Sequence, residues 1–104
     1  VYIENYAGHG TAKAAVEAMV RYGAAELGCM NIRVNAVSGG PIETDALRAF
    51  TNYEEVRDVT AKLSPLGRMG QPQDLAGACL FLCSEKASWI TGHTLLIDGG
   101  TTFK

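Results

Sequence analysis

The chain has 104 residues, 47 % of them hydrophobic and 19 % charged, with a net charge of -2. That length suits one small domain rather than two, and the composition suits a globular protein with a core. The charge leaves no basic field to draw in nucleic acid or anionic lipid, and no run approaches the ~18 apolar residues of a membrane span.

From about Tyr6 to Leu27 the sequence reads as one helix, because Ala12, Ala15, Val16, Met19, Val20 and Leu27 recur at spacings of three and four. Gly28 is placed to end it in the left-handed conformation. Ile32 to Val37 reads as a short strand, apolar enough to be covered on both faces, and Ser38-Gly39-Gly40-Pro41 reads as loop. Thr44 is placed to cap a helical segment after that loop. Asn52 and Glu55 form a capping-box-like pair, which predicts a further helix from Tyr53 to about Leu63.

Pro65, Gly67, Gly70 and Pro72 mark a long connection. Pro72 suits the first turn of a helix over about 72–83, with Asp74 favourable against its N-terminal dipole. That helix is apolar nearly all round and is expected to be buried, either in the molecule or at a subunit contact. Thr94 to Ile97 reads as a last strand, ended by Asp98-Gly99-Gly100. The order helix, strand, helices, strand predicts an α/β fold with a parallel sheet. Two strands are too few for a stable sheet. With the opening Val1-Tyr2-Ile3, this predicts that further strands belong to an N-terminal half absent from the sequence.

Cys29, Cys79 and Cys83 are an odd number without CxxC spacing, which argues against a disulfide scaffold and against zinc. Cys79 and Cys83 share a helix face and are expected to pack in a core. Free thiols fit the cytoplasm.

Each helical residue turns the chain by ~100°, so Lys13 lies within roughly 20° of Tyr6, and His9 lies about 40° from Lys13. A phenol, an imidazole and an ammonium thus line one stripe. A lysine near a tyrosine lowers the phenol pKa, which suits proton donation or oxyanion stabilisation. Taken alone, such a pair is an ordinary surface feature.

Three further segments change that. Arg33-Val-Asn-Ala-Val-Ser-Gly-Gly-Pro-Ile-Glu-Thr44 resembles the RVNxxxPGxIxT segment of the short-chain dehydrogenase/reductase family, and it follows a Tyr/Lys helix as in that family. Pro65-Leu-Gly-Arg-Met-Gly-Gln-Pro-Gln-Asp-Leu-Ala76 resembles the family's P-x-G-R-x-G-x-P-x-[ED]-[IVL]-A stretch. Ser88 to Gly100 resembles its terminal strand and D-G-G turn. Most members place the catalytic tyrosine four residues before the lysine, where this chain has His9. Tyr6 and Lys13 instead form the Tyr-x6-Lys pattern of the enoyl-acyl-carrier-protein reductase branch. Tyr2 to Tyr6, Val37-Ser-Gly-Gly40 and Thr44-Asp-Ala-Leu47 look most like its NADPH-linked bacterial members.

The resemblance implies the C-terminal portion of a Rossmann-type doubly wound parallel sheet, one domain over 1–104, with a mobile substrate lid at about 45–63. It implies reduction of the 2,3 double bond of an acyl-carrier-protein-linked enoyl substrate in fatty acid synthesis, with NADPH or alternatively NADH. Tyr6 would hydrogen-bond the thioester carbonyl oxygen, and Lys13 would hold the nicotinamide ribose. Ile42 would meet the carboxamide through its backbone, and Thr44 the carboxamide or pyrophosphate. Gly39 and Gly40 would let the backbone approach the ring. Phe50 and Tyr53 fall in the lid, and Tyr2 either borders the acyl site or packs beside it. A homotetramer is implied, without nucleic acid or membrane. His9 reads as filling the vacated tyrosine position, with a proton relay as the alternative. Asn35, Arg68 and Asp98 read as structural partners and His93 as surface. A 3-oxoacyl or other carbonyl or alcohol reductase, or a non-catalytic scaffold, are the alternatives.

Overall fold

A computed structural model of the chain describes residues 7–102. It divides into two compact units, one of residues 1–36 and 88–94, the other of 37–87 and 95–104. The elements are α1 (Ala7–Leu27), β1 (Ala36–Gly39), α2 (Asp45–Arg48), α3 (Tyr53–Leu63), α4 (Pro72–Leu82) and β2 (Thr94–Ile97), with single 3-10 turns at Gly28–Met30 and Glu85–Ala87. No described helix is long and apolar enough to cross a membrane.

β1 and β2 are hydrogen-bonded neighbours. The Ala36 N–H donates to the His93 carbonyl at 2.9 Å and the Gly40 N–H to the Ile97 carbonyl at 3.1 Å. Both chains advance together, so the pair is parallel, as the α/β reading requires.

In the first unit, α1 ends at Leu27 as expected, but not through Gly28. The chain tightens into the 3-10 turn, and Asn31 takes the left-handed conformation at φ 57°, its N–H donating to the Gly28 carbonyl. Asparagine tolerates that region because its short polar side chain bonds locally.

The strand also begins later than its residues suggest. Residues 32–35 pair with 90–93 partly through side chains. Thr91 Oγ1 accepts from the Val34 N–H at 3.1 Å, and Asn35 Nδ2 donates to the Ile90 carbonyl at 2.9 Å. Asn35 Oδ1 in turn accepts from the His93 N–H at 3.1 Å. Regular pairing starts only at Ala36, beyond these bonds, and runs on through Ser38-Gly39, a stretch expected to be loop. Asn35 is thus the structural partner expected of it, and His93 is exposed.

In the second unit, Thr44 caps α2, its Oγ1 accepting from the Leu47 N–H at 3.2 Å. The break expected near Thr51-Asn52 separates α2 from α3. Asn52 stands at the N-cap of α3 without a side-chain cap bond, so the expected capping box is not made. Glu54 and Glu55 in the first turn oppose the positive end of the helix dipole instead. Pro72 opens α4 as expected.

Thr60, Ser64, Met69, Leu82 and Ala87 are the buried residues of this unit, and Val20 that of the first, among the described residues. Cys79 and Cys83, expected in a core, are exposed, and of the apolar α4 only Leu82 is buried. The face they share is not covered by the described residues.

Replacing Asn35 by Ala removes a donor and an acceptor that bridge 55 and more residues of sequence. We expect Asn35→Ala to destabilise the full-length protein by about 1–3 kcal/mol, since Ile90 and His93 lose their partners. Urea unfolding with an unchanged midpoint would contradict this account of the strand start.

Candidate functional site

The residues singled out from sequence fall in three groups. Tyr2 and Tyr6 lie outside the described residues. Lys13 and His9 are exposed on α1, in the first unit. Gly39, Gly40, Ile42, Thr44, Phe50 and Tyr53 belong to the second unit, where the local geometry is explicit.

Past β1 the chain stays extended and changes partner. Ile42 forms an isolated parallel bridge with Gly70. Its bonds run from the Glu43 N–H to the Gly70 carbonyl at 2.9 Å and from the Gly70 N–H to the Pro41 carbonyl at 3.3 Å. In a parallel bridge the flanking groups make the bonds, so the N–H and C=O of Ile42 itself point away from Gly70. A donor and an acceptor side by side on one residue suit a carboxamide, which presents the complementary pair. On this observation the strand end fits the nicotinamide group assigned to it. Ile42 would hold the amide, and the Thr44 hydroxyl, an acceptor for Leu47, keeps its own proton for a further acceptor.

The two glycines have a different reason for being there. A Cβ on Gly40 would lie 2.9 Å from Asp98 Cβ, and one on Gly39 would lie 3.0 Å from Leu75 Cδ2. Their missing side chains admit the chain's own Asp98 and Leu75, a packing reason that stands beside the one expected from sequence.

Gly70 is fixed by an ion pair. Arg68 grips Asp74 with both nitrogens, Nη1 to Oδ2 at 2.7 Å and Nη2 to Oδ1 at 2.9 Å. The Asp74 carboxylate also accepts from the Gln71 N–H at 2.7 Å, closing the first turn of α4. The Arg68 guanidinium, then the Gln71 amide, hold the Asp74 pKa down from 3.8 to about 2. Asp98 is likewise a structural group. Its carboxylate accepts from the Gly100 and Thr102 N–H groups and from the Thr102 hydroxyl, which shape the last turn. Arg68 and Asp98 are thus the structural partners expected.

A pocket of about 160 Å³ opens beside these groups, lined by Ile42, Thr60, Leu66, Gly70, Ile97 and Gly99 among others. Its polar rim, Arg68, Asp74 and Asp98, is already paired within the chain.

Of the two residues expected in the lid, Phe50 is 62 % exposed. The Tyr53 hydroxyl donates to the Glu43 carboxylate, and the Arg57 guanidinium lies 5.9 Å from the centre of its ring. Sequence reasoning passed over Glu43. It also receives Gln71 Nε2 and sits 3.5 Å from Arg48 Nε. The Gln71 and Tyr53 hydrogen bonds, in that order, lower its pKa. Tyr53 is raised in turn, first by its bond to Glu43. The only sequence signal was an acidic residue between Ile42 and Thr44, and its partners lie as far as 28 positions away.

Residues 1–102 match the family model described as Enoyl-(Acyl carrier protein) reductase. An uncharacterized oxidoreductase of Mycobacterium tuberculosis (strain ATCC 25618 / H37Rv) is 49 % identical over 92 residues, 88 % of this chain and 37 % of that protein. The enoyl-acyl-carrier-protein reductase (NADH) FabI of Nostoc sp. (strain PCC 7120) is 43 % identical over 98 residues, 94 % of this chain and 38 % of the relative. The crystal structure of a hydroxysteroid dehydrogenase from Escherichia coli superposes with a TM-score of 0.83 at 44 % identity, over 92 % of this chain and 40 % of that one. The chain therefore spans well under half the length of the proteins it matches.

The Asp74 geometry fixes a pH dependence. Its carboxyl titrates lower in the folded protein than unfolded, so its contribution is complete above the ordinary carboxyl pKa and fades as pH falls from about 4 towards about 2. Asp74→Asn should therefore lower urea stability at pH 6, with the gap to the parent narrowing on acidification through that window. A gap independent of pH would exclude the ion pair as its source.

Proposed function

Because the chain belongs to the short-chain dehydrogenase/reductase family, we propose that the whole protein is a nicotinamide-dependent oxidoreductase that reduces the 2,3 double bond of enoyl-acyl-carrier-protein thioesters with NADPH in fatty acid synthesis. The observation that carries the reading is the Tyr6–Lys13 spacing, with His9 in the position four before the lysine. The matching family model and the 43 % identity to FabI of Nostoc support it.

The bound nucleotide, NADPH or alternatively NADH, supplies a hydride to the substrate. The chain's own residues do the rest. Tyr6 donates a hydrogen bond to the thioester carbonyl oxygen, where negative charge develops as the double bond is reduced. Lys13 adds positive potential that favours this charge and holds the ribose hydroxyls. Ile42 and Thr44 orient the carboxamide. Phe50 on the α2–α3 segment, together with Tyr2, offers apolar surface to the acyl chain. A cytoplasmic location goes with this reading.

A second reading, a 3-oxoacyl or other carbonyl or alcohol reductase, is favoured by the likeness to the hydroxysteroid dehydrogenase structure. Assay of the intact protein with crotonyl and acetoacetyl thioesters separates them. Turnover of the crotonyl substrate alone selects the enoyl reading, and turnover of acetoacetyl alone selects the second.

Both Tyr6 and His9 share the Lys13 face by helical spacing, so their roles separate by chemistry. In the Tyr-x6-Lys reading the neutral Tyr6 phenol donates to the developing enolate, and His9 fills the vacated tyrosine position. Removing one such donor costs roughly 3 kcal/mol, so Tyr6→Phe should lower enoyl reduction on the order of a hundredfold with little effect on nucleotide binding. His9→Ala should cost well under about tenfold by the same reasoning. The reverse ranking at saturating NADPH removes the Tyr-x6-Lys assignment.

We also propose a homotetramer built on α1 and β2. Val16, Met19 and Tyr22 leave an apolar surface exposed on α1, which suits a twin helix. Light scattering of the full-length protein should give four copies at micromolar concentration, and a monomer would exclude this assembly.

A further inference from the structure

The side-chain bonds that leave 45–58 for the rest of the second unit converge on one carboxylate. Glu43 Oε1 accepts from the Tyr53 hydroxyl, at the start of α3, and faces Arg48 Nε of α2 at 3.5 Å. Its Oε2 accepts from Gln71 Nε2, at the entry to α4. Its backbone N–H is bonded to the Gly70 carbonyl at 2.9 Å. The Glu43 side chain is only 20 % exposed, and its partners exceed what a solvated surface glutamate collects.

The other end of the segment is held separately. Thr60 and Ser64 are buried, and the Ser64 hydroxyl donates to the Gly99 carbonyl at 3.2 Å. The segment therefore has an anchored end at 60–64 and an end fastened by Glu43. The fastening residue sits between Ile42 and Thr44, the two positions assigned to the carboxamide.

We propose that Glu43 is a positioning residue that fastens the α2–α3 segment to the strand end bearing Ile42, and so sets how firmly the segment covers bound substrate. What the segment covers rests on the function proposed above, whereas the fastening itself does not. Three donors, Tyr53, Arg48 and Gln71, share one anion. Its loss leaves them without a common acceptor, and the far end of the segment keeps its own burial and its own bond.

The test uses the full-length protein. Amide hydrogen exchange, measured without nucleotide or substrate, should rise about tenfold or more over 45–56 in Glu43→Ala and stay near parental over 60–70. Glu43→Gln, which keeps an acceptor but not the charge, should fall between the two. Tyr53→Phe should loosen the same stretch, and Glu43→Ala/Tyr53→Phe should loosen it no further than Glu43→Ala alone, because both remove one shared bond. With crotonyl thioester, the loosened variants should show KM raised about tenfold and kcat within about threefold of the parent, the pattern of lost binding rather than lost chemistry.

Exchange over 45–56 that is unchanged in Glu43→Ala and Tyr53→Phe alike overturns the fastening, as does loosening spread evenly over the whole unit. If Glu43→Ala does not fold, Tyr53→Phe decides alone. If the parent protein turns over no crotonyl thioester, the function proposed above fails and the exchange result still decides the fastening.

Discussion

The second unit depends on one continuous stretch, 37–43, whose backbone bonds pass from one partner to the next. Gly40 bonds to Ile97, after which Pro41 and Glu43 bond to Gly70. No side chain is needed for these links, so the positions of Ile42 and Thr44 are set by main-chain geometry on both sides. A strand end that would otherwise fray is paired on a second partner, and that partner is made rigid by the Arg68–Asp74 grip. Backbone groups directed off the free side of such a stretch are fixed in space before any ligand arrives, and that is the condition for recognising an amide through main-chain atoms.

Helices were the legible part of the sequence. α1, α3 and α4 have the expected limits because apolar periodicity and the Pro72 start signal are local. The parallel pairing also followed, from element order alone. The limits of β2 were read correctly, but those of β1 were not, because they are set by bonds between residues some 55 apart in sequence, from Asn35 and Thr91. The limit of α1 was read correctly at Leu27, but not how the chain leaves it. Gly28 was the permissive residue, but Asn31 is where the chain turns left-handed, one 3-10 turn later.

The candidate site was legible as types and spacing, and less so as roles. Glu43 is an unremarkable residue until Gln71, Tyr53 and Arg48 are brought around it. Of the two expectations for α4, burial within the described residues is not met. Leu80 is 75 % exposed and Trp89 98 % exposed, so apolar content alone did not say which element of this chain covers which face. Apolar area of that kind is stabilised only by burial, and on α4 the covering surface is not among the described residues.

The motif segments, far apart in sequence, form one set of mutual contacts in the second unit. Gly40, from the strand turn, lacks a side chain where Asp98 of the last turn comes close. Gly99, left-handed at φ 63°, passes Ser64 so closely that a Cβ would stand 2.6 Å from its hydroxyl oxygen. Arg68 and Asp74, within the middle segment, hold the Gly70 turn against Ile42. Gly40, Gly99, Arg68 and Asp74 in these segments are each explained by a residue in the same or another segment, without invoking a ligand. A change at one would force a change at its partner, which gives a physical reason for such segments to occur together in a chain. It also separates two kinds of residue within the same short run. Gly39, Gly40, Arg68, Asp74 and Asp98 build the frame, and Ile42 and Thr44 present atoms outward from it. Chemistry then depends on what the frame presents, and the frame can be the same for an enoyl reductase and for a carbonyl reductase. Within this chain the feature that separates the two proposed readings is therefore not in the frame but in the spacing before Lys13, where His9 stands four residues ahead of it.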